Sequence, residues 1–328
     1  MDIRISEAIY KNINCLVMES DRLAITVIPE SGGKIQSIFD KAKKKEYLYQ
    51  SKREEYKKSN YGDNFGEGDT SGFDEVFPSI DTCCYPTGPW AGIQVPDHGE
   101  VWAQPWAYSV TENSFLLSVH GVRFPYRMEK KIEFLNDNSF RLSYKAVNLS
   151  NFDFDFIWAP HPFFLCETNT RIVLPRSVQK IITSCPLPNK LGAYGTIHTW
   201  PVTETSAGEK YDISKVYPKY AGKCEKYYSA EKMEEGWCAL RNDASGDIIG
   251  LSYPVDKLPY LGVWEGIFGE DYITALEPCT GAMDRLDVAK LWNKAGVVEA
   301  KSEYAWYLNL TFDTTRDFHF IDGDGFLH

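Results

Sequence analysis

Alternation of apolar and polar residues with a period of two is the feature that most constrains what this 328-residue chain can fold into. Between positions 127 and 135, every second residue from Met128 to Phe134, including Lys130, can face one side of a strand while charged residues face the other. The same alternation returns between 140 and 146. The segment 136–138 that separates the two runs, Asn-Asp-Asn, has the residue types of a turn. The sequence therefore predicts a β-hairpin with one buried face.

Strand-like runs extend over the rest of the chain, whereas helical periodicity is sparse. The best short helix candidate is 284–294, and no helices alternate with the strands, which disfavours a parallel α/β sheet. We therefore expect an all-β fold: a large sandwich of mostly antiparallel strands with few short helices, built as a single domain over residues 1–328. The further strand-like runs lie at 14–18, 23–28, 34–39, 115–120, 154–158, 247–253, 261–264, 272–276 and 304–312.

Charge and composition narrow the classes of partner. Lys and Arg total 35 and Asp and Glu total 46, so the formal net charge is −11, and no basic patch of the kind that binds a phosphate backbone is evident. We expect no nucleic-acid partner. No apolar stretch has the length needed to cross a bilayer, and residues 1–4 are followed by mixed polar residues rather than a signal-peptide core. We therefore expect no membrane partner and a cytoplasmic location.

The eight cysteines do not form a zinc signature. No C-x-x-C pair is present, so we expect no structural metal and, in a reducing compartment, buried thiols rather than disulfides. Two long segments, 51–97 and 186–228, are rich in turn-forming residues. Long loops within a compact domain are usually either functional or disordered.

Four short segments place polar residues among aromatic ones. They are 72–81 (GFDEVFPSID), 97–106 (DHGEVWAQPW), 158–164 (WAPHPFF) and 275–281 (ALEPCTG). His161 lies between two prolines, and Glu277 precedes Pro278. Proline fixes its own φ and restricts the residue before it, so both side chains have rigid mounts, which favours a catalytic role. Asp74 and Glu75 of the first segment are equally compatible with capping a turn.

Aromatic neighbours of these groups favour a carbohydrate site, because aromatic rings stack on the apolar faces of sugar rings. Trp102 in the second segment and Trp264 in another strand-like run are such neighbours. Structural alternatives stay open at this point. Aromatic residues also build ordinary β-cores, His161 is compatible with a structural histidine, and Glu277 is compatible with a surface residue at a strand end.

Taken in their order along the chain, the four segments resemble the aldose 1-epimerase (galactose mutarotase-like) family. The resemblance begins with the turn at 31–33 and covers nearly the whole chain. It implies a galactose mutarotase-like β-supersandwich with a sugar cleft, and an enzyme that interconverts the α and β anomers of free aldoses. Residue by residue, it implies Glu277 as the base on the anomeric hydroxyl and His161 as the acid on the ring oxygen. His98 matches a second histidine that helps to hold the sugar.

The same resemblance implies that Asp74 and Glu75 line the cleft, and we expect Trp102 and Trp264 to contact the sugar as well. One side chain found in the well-studied branch of the family is missing. That branch has an Arg in the loop before the second segment that grips sugar hydroxyls, whereas 60–70 (NYGDNFGEGDT) contains none. Arg123 or a lysine of the long loop is a candidate substitute. Because the motifs contain no basic clamp, we expect a neutral sugar rather than a phosphorylated one.

Mutarotation requires opposite protonation states at the acid and the base. The ordinary pKa values, about 4.3 for Glu and about 6.5 for His, already lie in that order. We therefore expect only a modest upward shift of the His161 pKa, for example from a nearby carboxylate. We expect no metal, no organic cofactor, a small-molecule sugar as the partner, and a monomer or a homodimer.

Three alternatives remain open from the sequence. A non-catalytic carbohydrate-binding or sensing protein on the same fold does not need its acid and base close together, so a Glu277–His161 separation above about 8 Å would favour it. A glycoside-cleaving enzyme needs two carboxylates roughly 5–10 Å apart. The candidates for that pair are Asp74, Glu75, Glu100 and Glu277. The third alternative is an epimerase that uses the same acid and base on an unusual sugar derivative.

Overall fold

The computed structural model describes residues 1–184, 190–205, 207–216 and 225–328. Within these residues the chain folds almost entirely into strands, with one short α-helix and two single-turn 3-10 helices, Phe65–Glu67 and Gly88–Trp90. The all-β expectation is therefore confirmed. The helix α1 (Leu286–Leu291) falls inside the predicted segment 284–294 but is shorter. No helix in the described ranges has the length and apolar character needed to span a membrane.

The strands are named here in chain order, and each is used below by its label. They are β1 (Arg4–Tyr10), β2 (Ile13–Glu19), β3 (Leu23–Ile28), β4 (Lys34–Asp40), β5 (Lys45–Glu46), β6 (Phe73–Val76), β7 (Cys83–Cys84), β8 (Gln94–Val95), β9 (Ala107–Val110), β10 (Ser114–His120), β11 (Tyr126–Asn136), β12 (Ser139–Asn148), β13 (Phe154–Phe156), β14 (Ala159–Pro162), β15 (Phe164–Cys166), β16 (Thr170–Val173), β17 (Lys180–Thr183), β18 (Ile197–Thr199), β19 (Val202–Glu204), β20 (Lys210–Asp212), β21 (Glu225–Ser229), β22 (Trp237–Asn242), β23 (Asp247–Ser252), β24 (Tyr260–Phe268), β25 (Asp271–Cys279), β26 (Gly296–Val298) and β27 (Glu303–Thr314).

Three antiparallel sheets contain most of these strands. The first has the order β1-β2-β3-β4-β6-β14, with β5 paired to β4. The second has the order β16-β22-β23-β27-β12-β11-β10-β9, and the third β15-β25-β24-β21-β17-β18. The pairs β13-β26, β19-β20 and β7-β8 are small two-stranded sheets. Because neighbouring strands in the third sheet come from distant parts of the chain, this sheet brings residues near 165, 226 and 277 together.

The predicted hairpin is confirmed as β11 and β12, which pair antiparallel with Ile132 opposite Leu142. Burial alternates along β11 with the period of two that the sequence predicted. Lys130 lies on the buried face although it is charged, because its ammonium pairs with the carboxylate of Glu75 on β6 at 2.9 Å. This fully buried ion pair joins the first sheet to the second across the main apolar core.

The two predicted loop segments contain more regular structure than their composition indicates. The segment 51–97 includes β6, β7, β8 and both 3-10 turns. The segment 186–228 includes β18, β19, β20 and part of β21, while 186–189, 206 and 217–224 lie outside the described residues. Cys185 and Cys224 also lie outside them. Among the remaining cysteines, all free thiols, the expectation of burial fails for Cys84, which is exposed on the surface strand β7.

Glu265 of β24 is a buried carboxyl that makes the stability of the fold depend on pH. It is 3% exposed, lies opposite Glu225 of β21, and accepts a hydrogen bond from the Tyr272 hydroxyl at 3.1 Å. Burial raises the pKa of Glu265 to about 8; the Tyr272 hydrogen bond works against this shift, and the charge of Glu225 adds to it. The folded state therefore favours the neutral carboxyl.

Replacing Glu265 with Gln should remove a pH-dependent loss of stability. Below about pH 4.5 the carboxyl is protonated in both states, whereas between about 4.5 and 8 only the unfolded chain ionises, which lowers the free energy of unfolding by about 1.4 kcal/mol per pH unit. In urea titrations, the free energy of unfolding of Glu265→Gln should rise relative to that of the parent by roughly a few kcal/mol between pH 5 and 8. The exposed Glu204→Gln is the control. A difference between Glu265→Gln and parent that is constant with pH would contradict this account.

Candidate functional site

Two neighbouring antiparallel strands place Asp74 and His161 side by side. Asp74 of β6 is the register partner of His161 on β14, so the two side chains lie on the same face of the first sheet. Both residues are nearly completely buried, with exposures of 1% and 5%. The prolines on either side of His161, Pro160 and Pro162, belong to the same short strand.

Glu277 of β25 reaches the same place from the third sheet. Its Oε1 lies 3.9 Å from His161 Nε2, and its side chain is completely buried. The structure therefore brings the predicted acid and base together, at a distance well below the separation that would favour a binding protein. Neither Glu277 Oε1 nor His161 Nδ1 has a hydrogen-bond partner among the described residues. Buried polar atoms are normally paired, so these two are available to a ligand.

Lys226 of β21 holds the other oxygen of Glu277. Its ammonium donates a hydrogen bond to Glu277 Oε2 and lies 3.6 Å from Asp284, whose carboxylate also accepts a hydrogen bond from the Tyr228 hydroxyl at 2.6 Å. The sequence reasoning did not identify Lys226 or Asp284. Lys226 is one lysine among many in a chain whose pairing partners cannot be read from spacing alone, so no sequence signal marked it.

A glycine leaves room for the Glu277 carboxylate in the third sheet. Gly262 of β24 lies between β25 and β21, opposite Glu277 on one side and Tyr228 on the other. A Cβ at Gly262 would lie 3.2 Å from Glu277 Oε2 and 3.0 Å from Tyr228 Cε1. Such distances are tighter than ordinary packing, so the absence of a side chain at position 262 leaves room for the Glu277 carboxylate beside the Tyr228 ring.

Burial governs the protonation of the pair formed by Glu277 and His161. Burial raises the pKa of Glu277, and the Lys226 ammonium opposes this shift only in part. Burial lowers the pKa of His161 well below its ordinary value, and the positive charges of His98 and Lys226 lower it further. The expectation of an upward shift at His161 is therefore wrong in direction. The Glu277 carboxyl, 3.9 Å away, lies beyond hydrogen-bond distance, and the loss of solvation at the buried ring outweighs its attraction.

Asp74, His161 and Glu277 form a cluster, and His98 joins it from the loop between β8 and β9. Its backbone has φ of 56°, and the following Gly99 approaches the first sheet so closely that a Cβ would lie 2.0 Å from the Phe77 carbonyl oxygen. Its Nδ1 lies 2.8 Å from Asp97 Oδ1, so this carboxylate orients the ring. The centroids of the His98 and His161 rings are 5.2 Å apart. The second predicted histidine is therefore part of the cluster.

Asp74 is held by a lysine that the sequence reasoning also missed. Lys34, at the start of β4, lies 3.0 Å from the Asp74 carboxylate and donates to the carbonyl oxygen of Asp69 at 2.6 Å. Burial raises the pKa of Asp74 to about 6, against the opposing charge of Lys34. Asp74 is thus a buried carboxyl beside His161 that changes charge close to neutral pH.

Glu75 is not brought to this cluster, which corrects the expectation that it lines the cleft. Alternate residues of a strand face opposite sides, so Glu75 enters the core when Asp74 faces the cluster. Its oxygens accept hydrogen bonds from Lys130, from the Tyr144 hydroxyl at 2.9 Å and from Trp158 Nε1 at 3.0 Å. Both of its carboxylate oxygens are therefore engaged within the core.

Aromatic rings form one wall beside the histidines. Phe65 stacks on His98 with a centroid distance of 3.9 Å and meets Trp102 edge to face at 5.0 Å. Trp264 lies 6.3 Å from His161 and 5.7 Å from Phe163. Both predicted tryptophans therefore border the cluster, although Trp102 is 5% exposed and Trp264 is the more open of the two. The sequence did not mark Phe65 and Phe163 as site residues, because a phenylalanine in a strand-rich chain is most simply predicted to pack in the core.

Other parts of the described chain do not offer a comparable site. No three His, Cys, Asp or Glu side chains are grouped as metal ligands within residues 1–184, 190–205, 207–216 and 225–328. An open cavity of about 830 Å³ lies on the second sheet and is lined by residues such as Arg141, Lys145 and Tyr307. None of the predicted site residues lines it. The chemistry of the cluster, not cavity size, identifies the candidate site.

Removing the Lys226 ammonium should raise the pKa of Glu277. In Lys226→Met the carboxyl stays buried without its counter-charge, so its neutral form is favoured, and breaking one partner of a buried pair costs about 3–5 kcal/mol when the other stays charged. A ¹³C NMR titration of labelled glutamate carboxyls should show the Glu277 resonance titrating at higher pH than in the parent. The exposed Lys232→Met is the matched control. An unchanged Glu277 titration in a folded Lys226→Met variant would contradict the role given to this ion pair.

Comparison of structures finds proteins similar to this chain, whereas comparison of sequences does not. No family model and no curated protein matches the sequence. A galactose mutarotase related enzyme from Lactobacillus acidophilus superposes with a TM-score of 0.67 at 16% identity, covering 92% of this chain and 98% of that one. A galactose mutarotase-like protein from Clostridium acetobutylicum gives 0.65 at 12%, covering 96% and 99%. One from Lactobacillus casei gives 0.59 at 17%, covering 91% and 100%. The resemblance drawn from the motifs is thus met at the level of architecture, and the chain has the galactose mutarotase-like fold.

Proposed function

We propose that this protein is an aldose 1-epimerase, a mutarotase that interconverts the α and β anomers of a neutral aldose. The observation that carries the proposal is the approach of Glu277 Oε1 to within 3.9 Å of His161 Nε2 in a buried cluster walled by aromatic rings. A carboxyl and an imidazole at this separation can both reach the anomeric hydroxyl and the ring oxygen of one sugar, which are attached to the same carbon.

The reaction moves two protons and breaks one bond. One member of the pair takes the proton of the anomeric hydroxyl while the other donates a proton to the ring oxygen. The bond from C1 to the ring oxygen breaks, and C1 becomes an aldehyde. After rotation about C1–C2, the ring oxygen attacks the other face of the aldehyde and both protons return. No atom is oxidised or reduced overall, so proton transfers to and from side chains of the protein account for the whole reaction.

The raised pKa of Glu277 and the lowered pKa of His161 define the productive protonation state. Because burial raises the pKa of Glu277 and lowers that of His161, the ordinary values no longer decide which member of a singly protonated pair carries the proton. That pair contains one acid and one base, as the reaction requires. A fully deprotonated pair lacks the acid, and a doubly protonated pair lacks the base.

The charges around the cluster favour a neutral sugar. Lys34 is neutralised by Asp74, and Lys226 by Glu277 and Asp284. An anionic sugar would therefore compete with these carboxylates for its counter-charge. The glycoside-cleaving alternative loses two of its four candidate carboxylates, because Glu75 and Glu100 are committed to hydrogen bonds outside the cluster.

Substitutions of the pair should strongly slow the exchange of anomers. Glu277→Gln removes the base and His161→Asn removes the imidazole while both keep a similar volume, so each should reduce turnover by about 10²- to 10⁴-fold. Exchange is measured by NMR magnetisation transfer between α and β signals across a panel of neutral aldoses. The exposed Glu231→Gln and His319→Asn serve as controls and should match the parent. If the parent exchanges every sugar at the buffer rate, the proposed function is wrong.

Turnover should fall as rising pH takes the remaining proton from the pair. A fully deprotonated pair has no acid for the ring oxygen, and because the His161 pKa is lowered, this residue loses its own proton at lower pH than an ordinary histidine does. At lower pH the second proton binds and turnover should fall again, which gives a bell-shaped profile with its maximum on the acid side of neutrality. A profile that is flat, or that rises steadily to pH 9, would contradict this protonation scheme.

A further inference from the structure

A second cavity adjoins the candidate site and shares a wall with it. Its volume is about 340 Å³. The shared wall is Asp97, whose Oδ1 orients His98 and whose Oδ2 accepts a hydrogen bond from the Phe65 backbone at 2.9 Å. Side chains that line the cavity include Tyr61, Asn64, Thr82, Gln94, Asp97 and Arg123.

One buried carboxylate fixes two residues of this cavity. Glu100 is completely buried and accepts three hydrogen bonds: from the Tyr61 hydroxyl at 2.9 Å, from the backbone of Arg123 at 3.0 Å and from the backbone of Val122 at 3.1 Å. An ionised carboxylate is expensive to bury unless it is bonded in this way. Its position therefore fixes Tyr61 and the Arg123 backbone in advance of any ligand, which reduces the entropy lost on binding.

The guanidinium of Arg123 has little to bind within the protein. It makes one long contact of 3.4 Å with the carbonyl oxygen of Gln94 and lies 5.9 Å from the centre of the Tyr61 ring. No carboxylate of the described ranges forms an ion pair with it. Most of its five N–H donors are therefore free for the oxygens of a ligand.

The lining matches a polyhydroxylated ring better than an anion. Arg123 supplies donors, the carboxylates of Asp63 and Asp97 supply acceptors, and the amides of Asn64 and Gln94 supply both. A sugar hydroxyl both donates and accepts, so each of these groups can pair with one. A phosphate or carboxylate, by contrast, would be repelled by two carboxylates in the same wall.

We propose that this cavity binds the second ring of a reducing saccharide, so that the substrate is a disaccharide or a longer chain. The reducing ring would lie at Glu277 and His161, and the next ring would contact Arg123 beyond Asp97. The assignment of the reducing ring rests on the proposed function. The assignment of the second ring rests on the cavity itself, on its fixed wall and on the unpaired guanidinium.

The test compares monosaccharides with disaccharides on the full chain. Glucose and galactose are set against maltose, cellobiose and lactose in the anomer-exchange assay, with the parent, Arg123→Met and the exposed control Arg176→Met. For at least one disaccharide, the parent should show a kcat/KM about tenfold or more above that for glucose. Arg123→Met should reduce that ratio by about tenfold, the worth of a hydrogen bond to a charged group. Arg176→Met should leave it unchanged.

Failure of this proposal can be separated from failure of the proposed function. If no disaccharide exceeds its monosaccharide in the parent, or if Arg123→Met lowers both kinds of sugar equally, the second-ring site is wrong while mutarotation stands. If no sugar is exchanged above the buffer rate, calorimetric binding decides the second-ring site instead. Methyl maltoside, methyl cellobioside and methyl lactoside are then compared with methyl glucoside. Tighter binding of one disaccharide that is lost in Arg123→Met supports the site, and equal affinities overturn it.

Discussion

The contact of Lys226 with Glu277 across Gly262 is the interaction on which the candidate site depends. A carboxyl as completely buried as Glu277 is strongly driven to its neutral form, and the adjacent ammonium limits that shift. The same contact occupies one carboxylate oxygen and leaves the other, Oε1, free beside His161. An added Cβ at Gly262 would lie 3.2 Å from Glu277 Oε2, so the glycine leaves room for the carboxylate that Lys226 contacts. Charge, orientation and access at this position therefore follow from one ion pair and one absent side chain.

The alternation of side chains along short strands distributes the acidic residues between the site and the core. Asp74 and Glu75 are adjacent in the chain but serve opposite faces of β6: Asp74 lies beside His161, whereas Glu75 binds Lys130 between the sheets. In the same way, Glu100 lies close to His98 in the chain, but its carboxylate binds Tyr61 and the Arg123 backbone in the wall of the neighbouring cavity. A cluster of acidic residues in the sequence thus becomes separate structural and ligand-facing groups.

The sequence predicted the architecture correctly and singled out His161 and Glu277, which lie together in the structure, because the strands and these two positions leave local signals. Period-two alternation marks β11 and β12, and the prolines mark the rigid positions of His161 and Glu277. What the sequence could not reveal is which side of a short strand each residue faces. β6 has four residues, all buried, so its pattern does not distinguish the face of Asp74 from that of Glu75.

Contacts between distant segments were also beyond the sequence. Lys226 and Glu277 lie on the two strands that flank β24 in the third sheet, which brings their side chains together. No local spacing in the sequence encodes this strand order. The direction of the His161 pKa shift depends on the same packing: the expectation assumed an upward shift from a nearby carboxylate, whereas the ring is buried and its loss of solvation lowers the pKa. Solvation is a property of the assembled site, so its effect on pKa values appears only when the fold is known.

The central claim is that the pair formed by Glu277 and His161 is catalytic while it holds a single proton. The most direct measurement records ¹⁵N resonances of the labelled His161 imidazole and ¹³C resonances of the labelled Glu277 carboxyl through a pH titration, together with the anomer-exchange rate in the same samples. The account predicts that the rate follows the population of the singly protonated pair at every pH. A rate that stays high after both groups have lost their protons would contradict it.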